Sequence, residues 1–310
     1  MNVLSLFSGC GGLDCGFYEH DAFIIRRAVD SMSLAVETYN RNYSTNGPHA
    51  IVADVRSILN EDHDMLLVKP DVIIGGPPCQ DFSSAGKQIL GERAALTSTF
   101  CAIVERYLPR FFVMENVPAI RTTGRVILAD ITSRFRMAGY GLTTRVIFMP
   151  DYGIPQSRKR FFIFGELGGE DGFMATELDA AKTPVHSIRE YMERNPHVEL
   201  RLGEKEFIYR HPRSYARRGV FSIDELHPTV RGCLRSMPST YKFHAGDKSN
   251  IREDIATPTI ELIARMQTFP ETYMFGETRK NALLIGNAVP PVFSRVVACI
   301  IAKRASTTPI

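Results

Sequence analysis

The sequence predicts an α/β protein: a doubly wound, mostly parallel sheet with a second, smaller and irregular domain. Three observations predict it. The first 165 of 310 residues alternate short apolar runs with stretches of helical periodicity, the pattern of repeated βαβ units. The first apolar run opens directly into a glycine-rich turn, "FSGCGG" (7–12). After "GELGGEDGF" (165–173) the alternation stops, and residues 174–256 scatter Pro, Arg, Tyr and His without a clear period.

Strand one is expected over Val3–Phe7, and "LSLFSGCGGLDCGF" (4–17) then turns into a helix. Glycines at such a turn let the backbone approach a ligand closely, or simply make a tight turn. Strand two, Phe23–Val29, delivers Asp30, 21 residues after Gly9. An acid there suits the hydroxyl pair of a ribose. The third glycine of a dinucleotide fingerprint is absent, its place taken by Asp14, which argues against a nicotinamide dehydrogenase. A helix is expected in "SLAVETYNRNY" (33–43), then a strand at Ala50–Val52 with Asp54 just beyond it. Val72–Ile74 is a buried strand that stops at "GGPPC", which fixes Cys79 at the open end of the sheet.

Phe111–Met114 is a further buried strand, ending in Glu115 and Asn116 before a proline-containing turn. A carboxyl emerging from an apolar strand is suited to donating or sharing a proton, or else caps the turn. "RVILADITSRFRMAG" (125–139) sets Ile127, Ile131 and Phe135 four apart as a helical stripe. Strands follow at Thr143–Phe148 and Phe161–Phe164, and "IPQSRKRFFIFG" (154–165) puts Arg158 and Arg160 at strand spacing on one face. "IELIARMQTF" reads as a helix, and "PPVFSRVVACIIAKR" carries an apolar stripe that should return to the first lobe. The expected division is 1–167 with 281–310 against 168–280.

Net charge is only +3, but its distribution is uneven: residues 207–252 hold nine Arg/Lys against three acids. The preceding stretch, 171–206, holds five against eight. A basic block of this kind meets phosphates or forms a solvated face. Six cysteines without a CxxC pair and eight scattered histidines describe neither a disulfide framework nor a metal site. No apolar run reaches the ~20 residues of a membrane span, and "MNVLSLF" lacks a signal peptide's basic start, so a cytoplasmic protein is expected.

The order "FSGCGGLDCGF", "GGPPCQDFS", "ENV", "QSRKRFFIFG", "GNAVPP" (286–291) resembles the cytosine-5 DNA methyltransferase family of bacterial restriction-modification systems, across nearly the whole chain. The resemblance implies a Rossmann-like S-adenosylmethionine-dependent methyltransferase sheet with residues 168–280 as target-recognition domain. It implies that Cys79, beside Gln80, adds to C6 of a flipped-out cytosine, that Glu115 bonds N3 and the amine, and that Arg160 and Arg158 hold O2 and orient Glu115. It assigns S-adenosylmethionine, released as S-adenosylhomocysteine, to Phe7, Gly9, Gly11, Asp30, Ser31, Asp54, Val55, Pro78, Leu96, Asn287 and Ala288. Double-stranded DNA is the implied partner of a monomeric enzyme, with Ser83, Arg210, Arg213, Arg217, Arg218, Arg231 and Arg235 as contacts. Ser31 departs from the bulky adenine-stacking residue common in the family, and Ser5 stands where many members carry Asp. A non-catalytic DNA-binding regulator and an RNA-directed relative are the competing readings. Intact Cys79, Glu115, Arg158 and Arg160 disfavour the first, and the size of the recognition lobe disfavours the second.

Overall fold

Apolar runs with no polar alternation fit strands covered on both faces, and here they assemble into one sheet. Its strands are β1 (Asn2–Leu6), β2 (Ile24–Asp30), β3 (Ala50–Val52), β4 (Val72–Gly75), β5 (Phe111–Asn116), β6 (Tyr140–Phe148) and, beyond the two-residue β7 (Gln156–Ser157), β8 (Lys159–Leu167). The computed structural model describes residues 1–43, 50–59, 68–78, 92–214, 216–276 and 280–307. The sheet order is β3-β2-β1-β4-β5-β8-β6. The first five strands are mutually parallel, and β8 pairs antiparallel with β5, placing Glu115 opposite Phe162. From β1 the chain winds outward to β2 and β3, then returns to lay β4 on the other side of β1. At such a reversal, beyond the carboxyl ends of the strands, ligands bind in open α/β sheets; here those are the ends of β1 and β4.

Helices α1 (Asp14–Tyr18), α2 (Ser33–Asn42), α3 (Glu92–Tyr107), α4 (Arg125–Met137) and α5 (Ala175–Ala180) accompany the sheet. In α4, Ile131 and Phe135 are buried as the four-residue spacing requires. The Phe112 ring meets those of Phe135, Tyr140 and Phe100 at centroid distances of 4.3, 5.0 and 6.3 Å. Gly165 of β8 lies across from Phe112, whose ring fills the space a Cβ would need.

Two compact units emerge: Met1–Ile147 with Lys159–Ala181 and Phe293–Ile310, and Phe148–Arg158 with Lys182–Val292. Residues 168–181, expected in the recognition lobe, fall in the first unit. There Met174 N–H donates to Thr143 Oγ1 at 3.0 Å and Gly172 N–H to the Leu142 carbonyl at 2.9 Å. Residues 148–158 and 281–292 fall in the second.

The second unit contains α6 (Ile188–Arg194), α7 (Ile260–Met266), α8 (Asn281–Asn287) and a small sheet in the order β10-β9-β12, from β9 (Phe207–Tyr209), β10 (Val220–Ser222) and β12 (Ile255–Ala256). β11 (His227–Pro228) pairs with β7. Its core includes Tyr209, Val220, Tyr241 and Ile255. The last helix, α9 (Pro291–Thr307), carries its apolar stripe into the first unit: Phe293 packs on Phe162 at 5.0 Å, and Ser294 Oγ accepts the Gly16 N–H at 2.9 Å.

Candidate active site

At the end of β1 the backbone takes a left-handed path: φ is +53° at Phe7, +55° at Gly9 and +78° at Gly11. This loop is tied on two sides. Gly9 N–H donates to Asp30 Oδ2 and Met32 N–H to Asp30 Oδ1, each at 2.9 Å. Burial raises the Asp30 pKa above the ordinary carboxylate range, against the lowering effect of those backbone donors. Just past α2, Tyr43 donates its hydroxyl to the Gly11 carbonyl at 2.7 Å, and its ring occupies the place of a Gly11 Cβ. Tyr39 donates to buried Asp14 at 2.9 Å. Around Gly9, by contrast, the space a Cβ would enter is open. A fixed loop with one open face and a partly buried acid at the next strand end has the shape and chemistry for a ribose-bearing ligand.

The other expected cofactor residues divide by environment. Ser31 is exposed. Phe7 and Leu96 are partly buried against the core, whereas the Val55 side chain lies within it. Asp54 is exposed and pairs with Arg56 at 2.5 Å, a partner that holds its carboxyl below the usual range.

Beyond β4 come Gly76, Pro77 and half-buried Pro78; Cys79, Gln80 and Ser83 lie outside the described residues. Asn116 donates Nδ2 to the Pro77 carbonyl at 3.3 Å, which ties the end of β5 to this turn. Glu115, 8% exposed, forms an ion pair with Arg160, whose Nε lies 2.9 Å from Oε1. A Cβ on Gly76 would come within 2.9 Å of Glu115 Oε2. The carboxylate therefore does not stand in a purely apolar setting, as its strand suggested. It is held between a glycine and a guanidinium.

Arg158, expected beside Arg160, has different partners. It is fully buried in the second unit, donating to the carbonyls of Val230 at 3.3 Å and of Gly286 and Ala288 at 2.9 Å. Gln156 donates to the Met266 carbonyl at 2.7 Å and accepts the Val230 N–H at 3.1 Å. Gln267 donates to the Ile285 and Ala288 carbonyls at 2.7 and 2.9 Å. These side chains brace the "GNAVPP" turn from within, leaving Asn287 exposed and the Ala288 carbonyl occupied. Gly286 is pressed against the peptide joining Arg231 to Gly232, leaving no room for a Cβ.

The model of the family described as C-5 cytosine-specific DNA methylase matches residues 1–303. This chain belongs to that family. It is 40% identical over 305 residues to the type II methyltransferase M.HindV of Haemophilus influenzae, covering 96% of this chain and 95% of the relative. It is 38% identical to M.HgiDI of Herpetosiphon aurantiacus, covering 94% and 90%. Among solved structures, S. pombe Dnmt2 superposes with a TM-score of 0.68 at 18% identity, covering 98% of this chain and 99% of that one. The Entamoeba histolytica methyltransferase EhMeth gives a TM-score of 0.64 at 18% identity, covering 98% of each chain. These two structures share the fold.

In this C-5 cytosine methyltransferase the arginines expected to contact DNA are not equivalent. Arg218 is bound bidentately by Glu225 at 2.9 and 2.6 Å and lies 4.3 Å over the Phe221 ring. Arg235 approaches His211 Nε2 at 3.5 Å, and Arg231 donates to the His211 carbonyl. Arg213 and Arg217 are exposed. Sequence reasoning missed Gln267, Tyr43 and Glu225. The first two act on backbone carbonyls, and such contacts leave no spacing signature.

Proposed function

We propose that this methyltransferase transfers a methyl group from S-adenosylmethionine to C5 of cytosine within a specific duplex DNA sequence. It does so as a monomeric, cytoplasmic member of a bacterial restriction-modification system, a setting supported by its type II relatives. The observation that carries the mechanism is the Glu115–Arg160 pair beside the Gly76–Pro77 turn, at the chain reversal of the sheet.

Cytosine C5 is a weak nucleophile, and its ring atoms are shielded inside the duplex. The target base is therefore flipped out of the stack. The Cys79 thiolate adds to C6, and the electron pair moves through the ring to make C5 carbanion-like. Glu115 bonds N3 and the exocyclic amine and supports the charge that develops there. Arg160 fixes the Glu115 carboxylate and bonds the base O2. The Pro77–Pro78 turn restricts the backbone that leads to position 79, and Asn116 anchors that turn through the Pro77 carbonyl; the thiolate chemistry needs such positioning. S-adenosylmethionine, when bound, supplies a sulfonium methyl electrophilic enough for C5. Phe7, Gly9, Gly11, Asp30, Ser31, Pro78 and Leu96 would hold it, with Asp30 taking the ribose hydroxyls. Once C5 carries the methyl, loss of its proton to a base and departure of the Cys79 thiolate from C6 restore the aromatic ring.

The test uses a duplex carrying 5-fluorocytosine at the target position, which has no C5 proton to lose. Denaturing gels should show a stable protein–DNA adduct in the presence of S-adenosylmethionine, absent in Cys79→Ser. Normal turnover by Cys79→Ser would overturn the mechanism.

A further inference from the structure

In the second unit Arg210, Arg213, Arg217, Arg218 and Arg231 line one open pocket of about 580 Å³, completed by Pro212, Phe221 and Thr229. Arg218 has a carboxylate partner, Glu225. Among the described residues no acid pairs with Arg210, Arg213, Arg217 or Arg231. Two of these four are set in place by a single bond to backbone: Arg210 donates to the Thr229 carbonyl at 3.3 Å, and Arg231 to the His211 carbonyl. Arg210 Nε is buried with no hydrogen-bond partner.

Partly buried cations without a counter-ion cost free energy in the ligand-free protein. Burial, then the charges of Arg231 and Arg213, push the Arg210 pKa down to about 10, and burial lowers that of Arg231. A guanidinium stays charged near neutrality, so the charge persists. The donors of the wall come from its arginines: Thr229 spends its hydroxyl proton on the Ser157 carbonyl and adds none, and Phe221 is covered by Arg218. A complementary ligand is therefore acceptor-rich, anionic and compact.

We propose that this pocket seats one backbone phosphate of the DNA, with Arg210 and Arg231 as its preset donors and Arg213 and Arg217 on its open flank. The assignment deepens the DNA-methyltransferase reading and rests on it. Arg218 is then a wall of the pocket, neutralised by Glu225, rather than a contact. A neutral guanine edge would satisfy some donors but leave the charge uncompensated, which is why a phosphate is favoured. Such a contact fixes where the second unit stands along the duplex without reading a base.

The experiment measures duplex affinity across a salt series for wild type, Arg210→Gln, Arg213→Gln, Arg217→Gln and Arg218→Gln. Two duplexes are compared, one carrying the methylated sequence and one scrambled. Arg213→Gln and Arg217→Gln, both at exposed positions, keep a folded control in hand if Arg210→Gln is unstable. Loss of a phosphate contact lowers the slope of log K against log salt by about 0.9 and weakens both duplexes by the same factor. Arg218→Gln is expected to leave the slope unchanged. Inorganic phosphate should displace duplex from wild type more effectively than chloride at matched ionic strength, and this difference should vanish in Arg210→Gln. Weakening confined to the methylated sequence, with unaltered slope, would overturn the proposal in favour of base reading. Unaltered slopes in all variants would remove the pocket from the interface. Methylation of duplex DNA by wild type is scored in parallel, so failure of the functional reading registers there and failure of the pocket registers in the slopes.

Discussion

Arg160 Nε lies 2.9 Å from Glu115 Oε1, across the one antiparallel seam that β5 makes in the sheet. Both side chains are largely shielded from water. Replacing Glu115 with Gln keeps the shape and removes the charge. Single-turnover methyl transfer should fall by ~10²- to 10⁴-fold, with duplex affinity little changed, as for an interaction that matters most in the transition state. An equal loss in affinity would show that the pair serves binding.

Gly76 tests the same carboxylate from the opposite side. A methyl group there would crowd Glu115 Oε2, the far end of a side chain already held by Arg160. Gly76→Ala should therefore lower the rate of methyl transfer more than it lowers the unfolding midpoint.

Tyr43→Phe removes the hydroxyl that satisfies the Gly11 carbonyl while leaving the ring against the glycine. The expected cost is about 1 kcal/mol in stability. Titration calorimetry should also show weaker S-adenosylmethionine binding, since the loop loses one of its two ties. Unchanged affinity would make the Asp30 tie sufficient alone.

Arg158→Met deletes a fully buried guanidinium and takes its hydrogen bonds from the Val230 and Gly286 carbonyls, while the Ala288 carbonyl keeps Gln267. Destabilisation of about 3 kcal/mol or more is expected, read from chemical denaturation. A stable but inactive variant would move Arg158 from bracing to chemistry.

Two buried groups should give opposing pH slopes. Burial raises the Asp14 pKa to about 6, and burial depresses that of His227 to about 4. Folded Asp14 binds more protons than the unfolded chain between about pH 4 and 6, so its contribution to stability is lost as pH rises through that window. Folded His227 binds fewer between about pH 4 and 6.5, so its contribution grows over nearly the same range. Unfolding midpoints followed by circular dichroism should rise more steeply with pH in Asp14→Asn than in wild type, and less steeply in His227→Gln. Identical profiles in all three would mean neither group is shifted.

The strands were legible because parallel strands covered on both faces are uninterrupted apolar runs, and Val72–Ile74 and Phe111–Met114 read that way directly. The insertion of β8 between β5 and β6 was not legible. It depends partly on Gly165 having no side chain beneath Phe112, a relationship between residues 53 positions apart. Glu115 and Arg160 stand out in the sequence as candidates, but their pairing follows from the sheet register. The spacing of Arg158 and Arg160 suggested a shared task, but a break between β7 and β8 sends Arg158 to backbone carbonyls instead. Asp54, expected among the cofactor residues, has its carboxylate paired with Arg56, two residues along.

Gly286 carries one last consequence. Because the Arg231–Gly232 peptide rests on its bare Cα, the separation between α8 and that loop is set by one missing carbon. Alanine at 286 would act as a shim, driving the loop outward and taking the Arg231 guanidinium with it. The damage from so small a change in the C-terminal motif would then surface first in how tightly the enzyme grips its duplex, while the methyl-transfer step itself kept its pace.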